Sequence, residues 1–475
     1  MEDNKMNSPV RNDARLESAL KNPLGHDNVG RLILKFAVPN IVSMIVNALY
    51  NMVDQIFIGN GVGYLGNAAT NVILPITVTF LGLGLLLGDG AAAYFALQNG
   101  KGETEEAAKG LGSAITVSLV LSVVLSALAL IFLEPLCRAF GASDNVLPLA
   151  MDYGGIIILG LPFMAFGVTV SGCIRADGSP MFSMMGLLLG CVMNIILDPL
   201  FIFVFGWGVK GAAFATILGQ MANAFLFLTY MPKFKNISLK KKYLRPKLPI
   251  VAKVASLGVS SFITQISIVV VIVIANRQLV SYGALSKYGQ DIPLSAHGVT
   301  MKVNQIVTSL IIGLSVGAAP VMGFNYGAGL YDRVKKAYFI ILRTSLIIGT
   351  LAFLAFQFFP IQIISIFGSE SELYNEFAVK CMRIFLMLIC VNGLQMSTGV
   401  FFQSIGHPLP ATILSMSRQI LIFVPAAFIL PSLFGVDGML YVGPVADGVA
   451  FVLALILLFA NWKRVFKAPD NALPR

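Results

Sequence analysis

The stretch MPKFKNISLKKKYLRPKLPIVAK, residues 231–253, decides the fold because it divides a long apolar chain almost at its midpoint. It is the longest basic, proline-containing segment between the apolar runs of this 475-residue chain. Hydrophobic residues make up 57% of the sequence and charged residues only 12%, whereas a soluble domain is roughly a quarter charged. The composition therefore indicates lipid as the solvent, with residues 233–250 as a cytoplasmic basic linker between two halves.

Apolar runs on both sides of this linker are long enough to cross a bilayer. A spanning helix takes about 20 mainly apolar residues, whereas a barrel strand takes about 10 with alternating polarity. Runs such as SIVVVIVIAN (267–276) do not alternate, so we predict an all-α integral membrane protein with twelve transmembrane helices in two six-helix lobes. The predicted spans are residues 32–58, 68–97, 110–133, 151–174, 181–205, 211–231, 251–276, 293–322, 337–359, 377–402, 408–434 and 438–461.

These spans divide the chain into five parts. They are a cytoplasmic N-terminal segment (1–31), an N-lobe (32–232), the linker (233–250), a C-lobe (251–461) and a cytoplasmic tail (462–475).

An internal repeat relates the two lobes. QNGKG (98–102) matches NYGAG (325–329) at a shift of 227, RADGSP (175–180) matches QSIGHP (403–408) at 228, and GVKGAAF (208–214) matches GVDGMLY (435–441) at 227. Each half holds an even number of spans, so the repeats are parallel and related by a pseudo-two-fold axis along the membrane normal. Two such bundles facing each other would form a cleft and suit alternating access.

The distribution of basic residues predicts the orientation of the chain. Most of the 33 Lys and Arg residues fall in segments that face the cytoplasm if the N-terminus does, while the opposite loops hold Arg138, Lys210, Arg277, Lys287 and Lys380. This positive-inside pattern places both termini of a multi-pass membrane protein in the cytoplasm. It also explains the net charge of +10 without a nucleic-acid partner.

Buried acids are the first candidates for function, since an ionisable group inside a bilayer is costly. Asp54 in the first span and Asp198 in the fifth share a depth near the outer face. Asn194 lies on the same helix face as Asp198, and Thr216 of the sixth span returns to that layer. Together with Asn47 and Asn51 of the first helix, these side chains predict an oxygen-rich cluster that binds either a proton or a cation such as Na⁺; the structural alternative is a set of isolated polar residues that satisfy helix backbone.

Other polar residues of the spans have both a structural and a functional interpretation. Asn47 and Asn51 extend a polar stripe from Asp54 along the first helix, and Pro39 should bend that helix, as a hinge or as a tolerated kink. The remaining intramembrane polar residues are Asp89, Asp447 with its repeat equivalent Gln220, and Arg418, for which Asp447 is a candidate partner.

No catalytic or cofactor motif occurs in its required context. GVGYLG (61–66) fits GxGxxG but lies between two membrane helices, and GLSVG (313–317) fits GxSxG but lies inside an apolar helix. The sequence holds no HExxH and no P-loop. We therefore predict no enzyme, no cofactor and no structural metal, and an ion gradient as the source of energy.

Several motifs in this order and spacing resemble the multidrug and toxic compound extrusion (MATE) transporters, in particular their DinF-like bacterial branch. The resemblance covers residues 30–460 and is carried by Pro39 with YNMVDQIFIG (50–59), QNGKG (98–102), RADGSP (175–180), NIILDPLFIF (194–203), GVKGAAFAT (208–216) and SMSRQ (415–419).

This resemblance implies a V-shaped pair of lobes, expected to work as a monomer, that exports small organic, often cationic and amphipathic compounds in exchange for H⁺ or Na⁺. By motif matching, Asp54, Asn194, Asp198 and Thr216 correspond to cation-coupling residues of the N-lobe. Pro39 corresponds to the proline associated with bending of the first helix. The polar positions Asn47 and Tyr50 correspond to the lining of the N-lobe cavity, whereas the coupling acids of the NorM-like C-lobe have no clear equivalent here.

Three alternatives follow from the same sequence. A lipid-linked oligosaccharide flippase of the same broad superfamily would need a strongly cationic cavity, and few basic residues lie deep in these spans. A membrane-embedded enzyme would need a catalytic constellation, and an ion channel would not need the two-lobe repeat.

Overall fold

Helices make up the whole regular structure in the part of the chain that can be described. The computed structural model describes residues 21–366 and 371–466, and within these ranges no strand occurs. Most of the predicted terminal segments 1–31 and 462–475 therefore lie outside the described residues.

Six long helices precede the linker. They are α1 (Val29–Val62), α2 (Tyr64–Gly100), α3 (Thr104–Ile131), α4 (Leu147–Ala176), α5 (Pro180–Pro199, extended by a π-helical turn at Leu200–Val204) and α6 (Gly208–Tyr230). A short helix at Pro23–His26 precedes α1, and another at Leu133–Ala139 follows α3. The α1–α2 connection turns at Gly63, whose φ of +89° lies in the region that glycine adopts without steric cost.

Six further spans follow the linker, which itself holds the 3₁₀ turns Met231–Lys233 and Lys241–Leu244. They are α7 (Leu248–Gly283), α8 (Asp291–Gly327), α9 (Tyr331–Phe358), α10 (Glu372–Phe385 with Ile389–Ser404), α11 (Pro408–Met416, the π-helical segment Ser417–Phe423 and Val424–Phe434) and α12 (Val436–Phe466), with a short helix at Pro360–Ser365.

The predicted fold class is confirmed, with one refinement. In the described ranges eleven single helices are long and apolar enough to cross a bilayer, and the two parts of α10 supply the twelfth span. The prediction of one continuous span over 377–402 misses a bend of 47° between those parts. Apolar content shows where a span lies, but a bend depends on local packing.

Helices of the two halves pack against each other on the side of the bundle that carries the linker. The side-chain amide of Asn40 in α1 donates to the carbonyl of Gly313 in α8 at 2.9 Å. Farther toward the linker side, Asn325 of α8 donates to the carbonyl of Leu24 at 3.0 Å. On α1 beyond its middle, Asn47 and Asn51 are exposed.

Glycine allows the backbones to approach across this contact. A Cβ at Gly90 of α2 would collide with the carbonyl of Val254 in α7, and a Cβ at Gly258 of α7 would collide with the carbonyl of Leu86 in α2. Glycine pairs of this kind let membrane helices touch without intervening side chains. The α2–α7 contact is therefore a close backbone contact between the halves.

Candidate functional site

Two carboxyl groups meet inside the first half. Asp54 of α1 is 8% exposed and Asp198 of α5 is fully buried. The two carboxyl groups lie within hydrogen-bonding reach of each other. Two ionised carboxylates have only acceptors, so this contact requires a shared proton or a bound cation.

Asn194 and Thr216 complete the arrangement that the sequence predicted. In the amide orientation that satisfies every donor, the Asn194 nitrogen donates to Asp198 Oδ2 at 2.7 Å. The Asn194 oxygen then accepts from the backbone N–H and the hydroxyl of Thr216, both at 3.1 Å. Asn194 therefore holds the Asp198 carboxyl in place from one side while Asp54 faces it from another.

Two tyrosines border the carboxyl pair. The side chain of Tyr50, one turn before Asp54 on α1, lies close to Thr216 and Asp54. Tyr153 of α4 lies close enough to Asp54, Asp198 and Tyr50 to interact with them electrostatically. The sequence analysis missed Tyr153, although its position six residues into α4 places it in the same outer layer as the acids.

The predicted polar stripe does not join this cluster as a whole. The side-chain amide of Asn51 donates to the backbone carbonyl of Asn47 at 2.7 Å, and both side chains are exposed. Asn47 and Asn51 are therefore open to solvent while the Asp54 carboxyl on the same helix is buried, and their part in the cluster or in the cavity lining stays a prediction. Gln220 lies against Gly160 of α4 with a buried side-chain oxygen that has no described partner.

Pro39 lies inside α1, which is assigned as one helix from Val29 to Val62. Its carbonyl accepts a hydrogen bond from the Ser43 hydroxyl at 2.9 Å. The neighbouring Asn40 makes the contact to Gly313 described above. Pro39 therefore lies where α1 meets the second half, and its role as a hinge stays a prediction.

Asp89 takes part in a polar chain across the two halves. Its Oδ1 lies 3.5 Å from Arg175 Nη2, and its Oδ2 accepts from the Ser261 hydroxyl at 2.9 Å. Ser261 of α7 in turn accepts from the Gln403 amide of α10 at 3.1 Å. Arg175 falls just outside the predicted span 151–174, but in the structure it lies in the last turn of α4, where its side chain is only 13% exposed and pairs with Asp89 of α2.

Arg418 and Asp447 form an ion pair within the second half. Arg418 Nε lies 2.6 Å from Asp447 Oδ1, and the side chains are 21% and 5% exposed. The partner suggested for Arg418 from the sequence is therefore the one that the structure shows. Arg175 and Arg418 are both half-buried, and each faces an acid.

The buried carboxyl groups of Asp54 and Asp198, with the amide and hydroxyl oxygens beside them, are the kinds of group that bind a proton or a hard cation. No group of three His, Cys, Asp or Glu side chains with metal-binding geometry occurs among the described residues. Twelve apolar spans around such a buried acidic cluster are the architecture of a membrane transporter.

Comparison with known proteins assigns the family. The MatE family profile matches residues 39–200 and 266–429, which together exceed half of the chain. The chain belongs to the MatE family and is a multi-span membrane transporter, not an enzyme. The two matched segments start 227 residues apart, which agrees with the repeat read from the sequence.

Relatives and solved structures agree with this assignment. Multidrug export protein MepA of Staphylococcus aureus (strain MSSA476) is 24% identical over 432 residues, covering 91% of this chain and 94% of the relative. A structure described as an outward-facing conformation of a multidrug resistance MATE family transporter has a TM-score of 0.86 at 22% identity, covering 94% of this chain and 98% of that one. A MATE structure in the straight conformation also has a TM-score of 0.86 at 22% identity, with coverage of 94% and 99%.

Proposed function

We propose that this chain exports small organic compounds, many of them cationic and amphipathic, across the bacterial plasma membrane by antiport with H⁺ or Na⁺. The export of several compounds is carried over from the relative named Multidrug export protein MepA. The positive-inside distribution of Lys and Arg supports an orientation with both termini in the cytoplasm. Assignment to the DinF-like branch and a monomeric state stay predictions.

The observation that carries this proposal is the contact between the Asp54 and Asp198 carboxyl groups. Burial disfavours two adjacent negative charges, so the pair holds a proton or a cation whenever water is excluded. Asn194 and Thr216 add the amide and hydroxyl oxygens that a cation site needs. Loss of the ion would leave two repelling carboxylates, and this repulsion would favour another arrangement of α1 and α5.

The position of the contacts between the halves supports alternating access. Contacts of Asn40 with Gly313 and of Gly258 with the Leu86 carbonyl close the linker side. Polar side chains avoid lipid, so the exposed Asn47 and Asn51 belong to a water-filled cleft on the opposite side. We assign the cleft side to the exterior, and we propose that ion exchange at the carboxyl pair couples its closure to opening on the linker side.

The decisive experiment measures efflux from proteoliposomes under separately imposed proton and sodium gradients. Asp54→Asn and Asp198→Asn each remove one exchangeable charge while keeping the side-chain shape. Gradient-driven efflux should fall at least about 10-fold in both variants, because each variant lacks a charge that couples the ion to export. A 10-fold fall corresponds to a loss of about 1.4 kcal/mol per transported ion.

Asp332→Asn is the matched control, since Asp332 is exposed in the first turn of α9 and distant in sequence from the carboxyl pair. Its efflux should equal that of the wild type. Efflux that follows either gradient undiminished in both site variants would refute coupling at the Asp54–Asp198 pair. The gradient that drives the wild type identifies the coupling ion.

A further inference from the structure

The linker carries a dense basic strip that the transport function does not use. We define the basic strip as the seven exposed basic residues of the linker, namely Lys233, Lys235, Lys240, Lys241, Lys242, Arg245 and Lys247. The whole stretch 231–253 contains no Asp or Glu. Lys242 lies 3.7 Å from Glu105, and no other member of the strip makes a described ion pair.

The backbone beneath the strip is held in a defined position. Asp177, from the RADGSP motif, is 1% exposed and accepts from the backbone N–H groups of Lys235 and Asn236 at 2.8 and 2.9 Å. The Tyr230 hydroxyl donates to the same carboxylate at 2.8 Å. Phe234 is buried next to these contacts. The lysine side chains therefore extend from a docked segment and not from a free tether.

The second part of the linker lies alongside a span. The Thr116 hydroxyl of α3 donates to the carbonyl of Leu244 at 2.8 Å, and a Cβ at Gly112 would collide with the carbonyl of Tyr243. Thr116 follows Lys109, the last charged residue of α3, by seven residues, which corresponds to about 10 Å along the helix. The docked linker therefore reaches past the charged end of α3 to the start of its apolar part, where the hydrocarbon of a bilayer begins.

A cavity between the linker and the start of α3 adds room for a headgroup. Its volume is about 410 Å³, and Lys235, Lys240, Ser238, Thr104 and Glu105 are among its lining residues. Glu105 is paired with Lys242 at 3.7 Å and with Lys109 at 3.4 Å, and Lys109 also pairs with Glu106 at 2.8 Å. The two other lysines are left to face an anion.

An exposed apolar side chain lies beside the charged residues. Leu248, the first residue of α7, is 81% exposed next to Lys247. A basic group followed by an apolar side chain matches a lipid whose phosphate lies above its acyl chains. Polybasic segments at the end of a membrane helix attract anionic headgroups in this way.

We propose that the basic strip and its cavity bind the phosphate headgroups of anionic phospholipids in the leaflet that surrounds the linker. Each Lys or Arg near an anionic surface strengthens binding by about fivefold. Neutralising three members of the strip should therefore weaken binding by about 100-fold.

The test uses the full-length protein purified in neutral detergent. Phosphatidylglycerol or phosphatidylcholine is added at increasing mole fraction, and the melting midpoint and the lipids retained in native mass spectrometry are recorded. The strip variant is Lys235→Gln with Lys240→Gln and Lys241→Gln. The control is Lys253→Gln with Lys335→Gln and Lys336→Gln, three exposed basic residues outside the strip that give the same change in net charge.

Phosphatidylglycerol should raise the melting midpoint of the wild type and of the control more than phosphatidylcholine does. The strip variant should need about 100-fold more phosphatidylglycerol for the same rise. High salt should reduce the difference, since exposed charges are screened. Melting in phosphatidylcholine should be the same for all three proteins, because the substituted side chains are exposed. An equal response of wild type and strip variant, an equal loss in the control, or the same gain from inorganic phosphate alone would overturn the proposal.

Discussion

Removing one partner of the Arg418–Asp447 pair should destabilise the protein strongly, whereas removing both should not. The 2.6 Å contact joins a carboxylate that is 5% exposed to a guanidinium that is 21% exposed. Deleting one member of a buried pair typically costs about 3–5 kcal/mol, because the other charge remains without a partner, whereas apolar replacement of both is often neutral. We therefore expect a loss of about 3–5 kcal/mol for Asp447→Leu, and less than about 1 kcal/mol for Asp447→Leu combined with Arg418→Met.

A double-mutant cycle measures this prediction. Asp447→Leu, Arg418→Met and their combination are unfolded in mixed micelles, and the coupling free energy is taken from the four proteins. Asp447→Asn keeps a side-chain oxygen opposite Arg418, so its loss should fall between those of Asp447→Leu and the double variant. Gradient-driven efflux is measured on the same proteins in liposomes.

We expect the double variant to keep its efflux, since the proposed coupling resides at Asp54 and Asp198 in the other half. A coupling free energy below about 0.5 kcal/mol would show that the pair does not act as a unit. A stable double variant that has lost gradient-driven efflux would refute the structural role and would assign Arg418 and Asp447 to transport.

Three further changes test other parts of the structure. Gly258→Ala should lower the transport rate at least about 10-fold, because its Cβ would collide with a backbone carbonyl of α2. Gly298→Ala is the control and should transport normally, because a Cβ there meets nothing within 4 Å. Equal rates in the two variants would contradict the close contact. Tyr153→Phe should keep the fold but raise the ion concentration for half-maximal efflux about 2- to 10-fold. An unchanged ion dependence would show that the Tyr153 hydroxyl does not contribute to the site. Asp89→Asn should weaken the link between the halves and leave Arg175 without its carboxylate. The rate at which a thiol reagent labels cysteines on the linker side should then increase about 3-fold or more. An unchanged labelling rate would show that the link does not hold that side closed.

Composition and periodicity were sufficient to predict the number of spans, the repeat and the depth of the acids. The cost of burying polar groups in lipid makes apolar length a direct measure of a span, and depth follows from counting residues along a helix. That counting placed Asp54, Asp198, Asn194 and Thr216 in one layer, where the structure brings them into contact. Family resemblance gave these four residues a role, which stays a prediction for this chain.

Only the tertiary structure decided which side chains meet. Residues at one depth can face inward or outward, because the rotation of a helix about its axis is set by packing and not by its length. Asn51 and Asp54 lie three positions apart on α1, yet Asn51 pairs with Asn47 on an exposed face while Asp54 is buried against Asp198.

Contacts between the two halves also could not be predicted from the sequence. Arg175 looked like one more basic loop residue, and only the packing of α4 against α2 pairs it with Asp89 and extends the chain to Ser261. The linker that first divided the sequence is another case. Its charge was evident from composition, but its docking on Asp177 and its position beside Thr116 arise from hydrogen bonds between its backbone and side chains far away in the chain, which residue types alone do not encode.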